Sequence, residues 1–294
     1  MTVAVGIPAF NEAATVARAA RALLGQRGPH LREVAVVVVA SGCTDDTVGE
    51  AERAVADDPR GRVLVQARRE GKASAIAAFL DAVAGADVYV IAGADGVVED
   101  GALEALVSRF DDPSVGMTGG RPVPVNDPRT LMGRVVRLLW EMHHHVAMRS
   151  AKLGELVAFR RAFDAMPRDT AVDEAAIEAL ILARGLRLSY VPEARVRMKG
   201  PTTVREFLRQ RRRIHAGHLR LKHASGHAAS TMSVRAILRA ALAATPRSPR
   251  GIVDLAAAAV LEATARALGT WDATLGRRDH TVWERIPSTK DLAP

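Results

Sequence analysis

Val34-Ala35-Val36-Val37-Val38-Val39-Ala40-Ser41-Gly42-Cys43-Thr44-Asp45-Asp46 is the stretch on which the fold turns. A run this rich in β-branched residues is stiff at χ1 and suits a pleated strand, and its lack of alternation marks a strand buried on both faces. Residues 34–39 are therefore read as strand two. Beyond Ser41-Gly42, Thr44-Asp45-Asp46 opens a helix expected to run to about Ala56, with Asp45 as its cap.

To either side the same texture repeats. Val3-Ala4-Val5-Gly6-Ile7 reads as strand one, and residues 12–24 carry alanine and leucine at helical spacing with Asn11 placed to cap them. Strands follow at 62–66 and 88–91, separated by a helix over 72–83. This alternation predicts an α/β fold, a doubly wound and mostly parallel sheet covered by helices. In such sheets ligands sit beyond the carboxyl ends of the strands, where Pro8-Ala9-Phe10-Asn11-Glu12, Ala40-Ser41-Gly42 and Gly93-Ala94-Asp95 all fall. Three loops are thus expected to share one crevice. Farther on, 116–125 is punctuated by Gly and Pro, and helices are expected at 131–148, 173–184 and 203–221. The texture becomes Ala-, Arg- and Leu-rich after His223. We therefore expect a main domain over 1–222 and an appendage of amphipathic helices and a tail over 223–294.

A composition of 48% hydrophobic and 25% charged residues is that of a folded chain rather than a disordered one. The only cysteine, Cys43, rules out an intramolecular disulfide, and the N-terminus runs into a strand with no basic leader and apolar core. No uncharged apolar stretch approaches the roughly 20 residues that cross a bilayer. A cytoplasmic location follows as the expectation. The net charge of +8 suits binding to phosphates, but aromatics are only 4% and are not interleaved with basic residues, so no nucleic-acid partner is expected.

The order and spacing of the motifs over about 3–213 resemble family 2 glycosyltransferases with the Rossmann-like GT-A fold. Pro8-Ala9-Phe10-Asn11-Glu12 is similar to the family's opening motif at the nucleotide pocket, where Pro8 fixes the loop, Phe10 offers apolar surface and the Glu12 carboxylate accepts hydrogen bonds. An ordinary strand-to-helix turn is the plainer reading. Ser41-Gly42-Cys43-Thr44-Asp45-Asp46-Thr47 resembles the segment at the end of strand two, except that Ala40 and Ser41 replace its first two aspartates. Arg68-Arg69-Glu70-Gly71-Lys72 corresponds to a Gly-Lys segment ahead of a helix, where Arg69, Lys72 and free N–H groups can meet a diphosphate. Gly93-Ala94-Asp95 looks like the metal-binding Asp-x-Asp motif with its first aspartate replaced by Gly93.

What the resemblance implies is an inverting transfer of a sugar from a UDP- or GDP-linked donor to a hydroxyl acceptor, a lipid-linked one among the candidates. It places the general base at Asp173, with Glu174 as rival, because an acceptor hydroxyl is a poor nucleophile until a carboxylate takes its proton. Gln210-Arg211-Arg212-Arg213-Ile214 is similar to a Gln-x-x-Arg signature, which puts Gln210 and Arg213 on one helical face toward the leaving diphosphate. Nucleotide-sugar contacts are thus expected from Pro8, Ala9, Phe10, Glu12, Ser41, Arg69, Lys72, Ala94, Asp95, Gln210 and Arg213. A divalent ion, Mg2+ or Mn2+, would have Asp95 as its one carboxylate ligand and His218 as a second. His143-His144-His145 cannot all face one ion, since helical neighbours lie about 100° apart. Glu155 is a candidate for sugar or acceptor hydroxyls, with plain surface charge an equal alternative.

In the appendage, helices at 236–244 and 252–268 carry Arg235, Arg239, Arg247 and Arg250 around them, and Asp254, Glu262 and Arg266 cluster on one face with an apolar face opposite. Peripheral contact with the cytoplasmic face of a membrane is expected, with packing on the catalytic domain or an oligomer interface also open. The tail around Trp283 resembles that of some membrane-linked family members, which implies a fold back toward the nucleotide site with Lys290 near the diphosphate. Two other readings compete: a non-catalytic protein that binds a nucleotide or lipid headgroup, motivated by the losses at Ala40, Ser41 and Gly93, and a nucleotidyltransferase.

Overall fold

The computed structural model describes residues 1–227, 233–275, 282 and 286–290. Its centre is an eight-stranded sheet of order β3-β2-β1-β4-β7-β6-β8-β5. The first half is parallel: β1 (Thr2–Ala9) lies between β2 (Glu33–Ser41) and β4 (Val88–Ala92), with β3 (Gly61–Gln66) outside β2. β7 (Leu156–Phe159) then runs antiparallel to both β4 and β6 (Val115–Pro124). β8 (Arg187–Met198) is parallel to β6, and the short β5 (Val97–Val98) closes the edge antiparallel to β8. The sheet is mixed, and the Rossmann-like α/β architecture expected from the sequence is present.

Strand β2 shows why. Val36 and Val38 enter one core with Val3, Val5 and Ile7, covered by α1 (Val16–Leu24), α2 (Thr47–Val55) and α4 (Ala102–Val107). Val37 and Val39 enter the other, under α3 (Lys72–Ala82) and α6 (Asp173–Ala183). An unbroken valine run is what a strand with two dry faces requires. Gly6 is needed for the same packing, because a Cβ there would lie 2.6 Å from the Phe79 ring of α3.

The elements missed from sequence lie mostly in the second half. The stretch 116–125, read as irregular, is strand β6: its Gly119 and Gly120 sit against the Leu153 side chain and the Ala194 carbonyl, where larger residues would collide. Glycine here serves close approach rather than a turn. Asn11 does not cap α1, which starts at Val16 after Thr15; it binds Thr44 across the crevice instead. Asp45 accepts a hydrogen bond from the Thr47 N–H at 3.0 Å, at the start of α2.

Helix α7 (Val204–Ser225) continues three residues beyond position 222, and α9 (Pro249–Leu275) packs along it. α5 (Leu131–Ala147), α7 and α9 share a third apolar cluster, and α8 (Val234–Ala244) lies against α5. Past its first turn, where Arg250 is exposed, the charged residues of α9 have partners: Asp254 pairs with Arg134 at 3.0 Å, Glu262 with Arg211 and with Arg266 of the same helix, and Asp272 with Arg212. The outer face is the unusual one. From Ile252 to Leu275 every exposed residue of α9 is alanine, valine, isoleucine, leucine, threonine or tryptophan. No helix among the described residues is long and apolar enough to cross a membrane.

Candidate active site

Strands β1, β2 and β4 run parallel, so their carboxyl ends open on the same edge of the sheet. There the first two loops are tied together. Asn11, at φ +53°, accepts from the Thr44 N–H at 2.8 Å and donates to Thr44 Oγ1 at 3.0 Å. The Glu12 N–H donates to Thr47 Oγ1 at 2.7 Å, and Thr15 Oγ1 donates to the Glu12 carboxylate at 3.0 Å. Glu12 is thereby held buried at the crevice wall rather than left on a free turn. Ser41 is buried and reaches the Arg68 carbonyl at 3.5 Å. Gly42, at φ +60°, lets the 68–69 backbone approach so closely that a Cβ would meet the Arg69 nitrogen at 2.3 Å. The Arg69 guanidinium lies 3.7 Å above the Phe10 ring, which joins two of the expected nucleotide contacts in one cation–π pair. Pro8 and Ala9 end β1, and Ala94 is buried between Gly93 and Asp95.

Deeper in the crevice two helix N-termini face each other. Gly71, at φ +99°, precedes α3 and places Lys72 at its first position; Asp173 and Glu174 open α6. Lys72 Nζ lies 2.8 Å from Asp173 Oδ2 and also pairs with Glu174. The two acids differ. Asp173 is 0% exposed, and Oδ1 finds no hydrogen-bond donor among the described residues. Burial, together with the charge of Glu174, pushes it up to about 6 against the pull of Lys72. Glu174 keeps 18% exposure, and although burial disfavours its charge, Lys72 holds it below the usual carboxylate range. A buried acid with an open lone pair beside an ionised neighbour is the arrangement that separates the two roles.

Arg213 comes from α7, where it donates to the Ala171 carbonyl at 2.9 Å. Burial lowers it to about 10 while Asp173, Glu174 and Glu155 act to keep its charge. Gln210 sits one turn earlier on the same helix, half-buried. Glu155 belongs to this group rather than to the surface. It takes a positive φ of +62°, and burial with the nearby charges of Asp95 and Glu174 raises it to about 7. A bulky residue in that backbone region marks a conformation imposed by its surroundings. The sequence signal for it was the Gly154-Glu155 step before β7, which motif matching leaves ambiguous.

The expected metal ligands do not come together. Gly93 brings no side chain, and among the described residues no group of three or more His, Cys, Asp or Glu could hold an ion. His218 is half-buried; loss of solvent first, then the nearby charges of Lys152, Arg211, His215 and His227, lower it to about 3. Three further imidazoles go three ways: His143 packs edge-on to Trp140, His144 pairs with the Tyr190 hydroxyl at 3.0 Å, and His145 lies 3.7 Å from Glu141. The cation that does meet Asp95 is Lys290, whose Nζ lies 2.8 Å from Oδ2 and also pairs with Glu12. Two carboxylates, Glu12 and Asp95, that already share one ammonium are not a donor set for a protein-held divalent ion. Trp283, singled out in the same tail, lies outside the described residues.

Comparison with known proteins places this geometry. The chain is 26% identical over 230 residues to an N-acetylglucosaminyltransferase of Bradyrhizobium diazoefficiens, covering 70% of this chain but only 47% of that one. The chain thus spans about half the length of that curated relative. A mannosyltransferase from Pyrobaculum calidifontis, solved with GDP-Man and Mn2+, shares the fold with a TM-score of 0.66 at 21% identity, over 94% of this chain and 88% of that one. Glucosyl-3-phosphoglycerate synthase from Mycobacterium tuberculosis, solved with Mg2+ and UDP, follows at 0.52 and 19%, over 76% and 79%. The model of glycosyl transferase family 2 matches residues 4–175, more than half of the sequence and every loop of the crevice up to the Asp173-Glu174 pair, and the chain belongs to that family.

Proposed function

We propose that the chain transfers a sugar from a UDP- or GDP-linked donor to a hydroxyl acceptor, with inversion at the sugar carbon. The observation that carries this reading is the Lys72-Asp173-Glu174 cluster at two facing helix N-termini, in the crevice lined by Glu12 and Asp95. Neighbours of the same fold, solved with GDP-Man or UDP, support a nucleotide-sugar donor. In this mechanism Asp173 accepts the proton of the acceptor hydroxyl through its unpaired Oδ1, and the attacking oxygen displaces the nucleoside diphosphate. Lys72, Arg213 and the N-terminus of α3 offset the charge that develops on the leaving group. Phe10, Arg69, Ser41 and Gln210 frame the nucleotide, and Glu155 faces the sugar or acceptor.

The same reading places the protein on an anionic membrane surface, where a lipid-linked acceptor would be met. Ile252 is 66% exposed, Val260 66%, Trp271 55% and, on α8, Leu242 82%. Arginines 149, 239 and 250 flank these faces. An apolar helix face bordered by guanidinium groups fits a headgroup boundary better than open water. Loss of the aspartates at Gly93 and Ser41 favours a second reading, a non-catalytic nucleotide binder. The two part on one experiment: incubation with a panel of nucleotide sugars and membrane lipid extract, with products identified by mass. A product heavier by one sugar residue supports transfer, and bound but unconsumed donor supports the binder; in a parallel incubation with nucleoside triphosphates and sugar 1-phosphates, released pyrophosphate supports a nucleotidyltransferase.

A further inference from the structure

Lys290 is the cation closest to where a metal would be sought, and the tail that carries it is seated by specific contacts. Residues 287–289 form one 3-10 turn, in which the Thr289 hydroxyl donates to the Ile286 carbonyl at 2.9 Å and both residues are buried. Ser288 donates through Oγ to Glu206 at 2.6 Å and accepts from the Thr202 N–H at 3.1 Å. Glu206 is itself fixed at the start of α7, where the Thr203 hydroxyl donates to it at 3.0 Å. The turn is therefore anchored to the helix that supplies Arg213, and it aims the next residue into the crevice. There Lys290 joins Glu12, on the loop after β1, to Asp95, on the loop after β4.

Two local facts bear on what that ammonium replaces. Gly93 brings no carboxylate, and the atom a Cβ there would approach is Asp95 Oδ1, at 2.9 Å, on the side chain that Lys290 holds. A divalent ion needs several oxygen ligands in fixed geometry, whereas an ammonium needs only two or three acceptors and brings its own covalent tether. The crevice offers two carboxylates, Glu12 and Asp95, and an ammonium has three N–H donors, so a third acceptor can be a phosphate oxygen.

We propose, resting on the nucleotide-sugar reading above, that Lys290 is the built-in cation for the donor diphosphate, so that donor binding does not require a divalent ion. In the free protein Glu12 and Asp95 hold the ammonium in place; on donor binding it turns one N–H to a diphosphate oxygen while Asp95 keeps another. The device places residues 286–290 at the donor site.

Isothermal titration of UDP and GDP into metal-depleted full-length protein tests this, with chelator or with Mn2+ present. The wild type is expected to bind one of the two equally well in both conditions. Lys290→Met is expected to lose about 10- to 100-fold in chelator, the scale of one charge-assisted contact, and to recover partly with Mn2+ because Asp95 is freed. Lys290→Arg should retain most of the affinity, and unchanged thermal melting of both variants excludes a folding defect. Wild-type binding that appears only with Mn2+ overturns the proposal alone. Equal or tighter binding by Lys290→Met in chelator also overturns it, since the lysine would then be a plug. Absence of binding to either nucleotide under both conditions overturns it together with the nucleotide-sugar reading.

Discussion

At the scale of single residues, the decisive contrast is between Asp173 and Glu174. Both touch Lys72, but only Asp173 combines full burial, an unpaired oxygen and a pKa pushed up to about 6. Asp173→Asn should leave nucleotide affinity within about twofold and lower turnover by about 10²- to 10⁴-fold, the usual contribution of a general base. Glu174→Gln should instead weaken nucleotide binding, because Lys72 loses the partner that positions it. Steady-state rates beside titration calorimetry separate the two. The acid must be ionised to accept a proton, so kcat/KM should be flat above pH 6 and fall about tenfold per unit below it. Glu155 has the opposite bearing on stability. Its pKa rises from 4.5 to about 7 on folding, so its neutral form favours the fold below pH 4.5 and that contribution is lost as pH rises through 7. Glu155→Gln should flatten the stability profile between those values and gain on the order of 1–3 kcal/mol at pH 8, read from urea unfolding. Motif spacing pointed to Glu12, Lys72, Asp95, Asp173 and Arg213, because loop chemistry repeats locally along the chain. The likeness of the tail brought Lys290 toward the nucleotide site, but nothing in the spacing showed that it joins Glu12 to Asp95, since contacts across 278 and 195 residues leave no local pattern.

At the scale of elements, the parallel half of the sheet was legible because two-faced burial demands valine runs, as in β2. β6 was not, because the glycines that let its neighbours approach read as turn signals. Helix α9 shows a further limit. Spacing grouped Asp254, Glu262 and Arg266 correctly on one face, but a charged face is ordinarily the wet one, and here it is the packed one. Partners on α5 and α7 reverse the usual rule, since a buried ion is stable only when paired. Asp272 is fully buried against Arg212, so Asp272→Ala should strand that guanidinium and cost about 2–4 kcal/mol, somewhat below a wholly enclosed pair because Arg212 keeps some exposure. Denaturant unfolding of the single and double substitutions at 212 and 272 gives the coupling directly; additive losses would remove α9's dependence on that pair.

At the scale of the whole molecule, the inward acids of α9 leave that helix an apolar outer wall, and α8 exposes Leu238 and Leu242 with Arg235 and Arg239, on the α5 and α7 side of the sheet. Flotation with vesicles containing anionic phospholipid should carry the protein upward, and neutral vesicles should carry less of it. Val260→Glu with Trp271→Glu should abolish flotation while leaving nucleotide binding unchanged, since both side chains lie on the outer face of α9. A wild type that ignores vesicles but sediments as a dimer, and becomes monomeric in the double variant, would assign the wall to a second copy instead. The central claim joins all three scales: one buried carboxylate, held between two helix N-termini of a family 2 fold, drives direct displacement at the sugar carbon. The measurement that tests it most directly is the anomeric configuration of the product by proton NMR, starting from an α-linked nucleotide sugar. The account predicts a β-linked product, formed by the wild type and lost in Asp173→Asn; an α-linked product, or one that Asp173→Asn still forms at the wild-type rate, would contradict it.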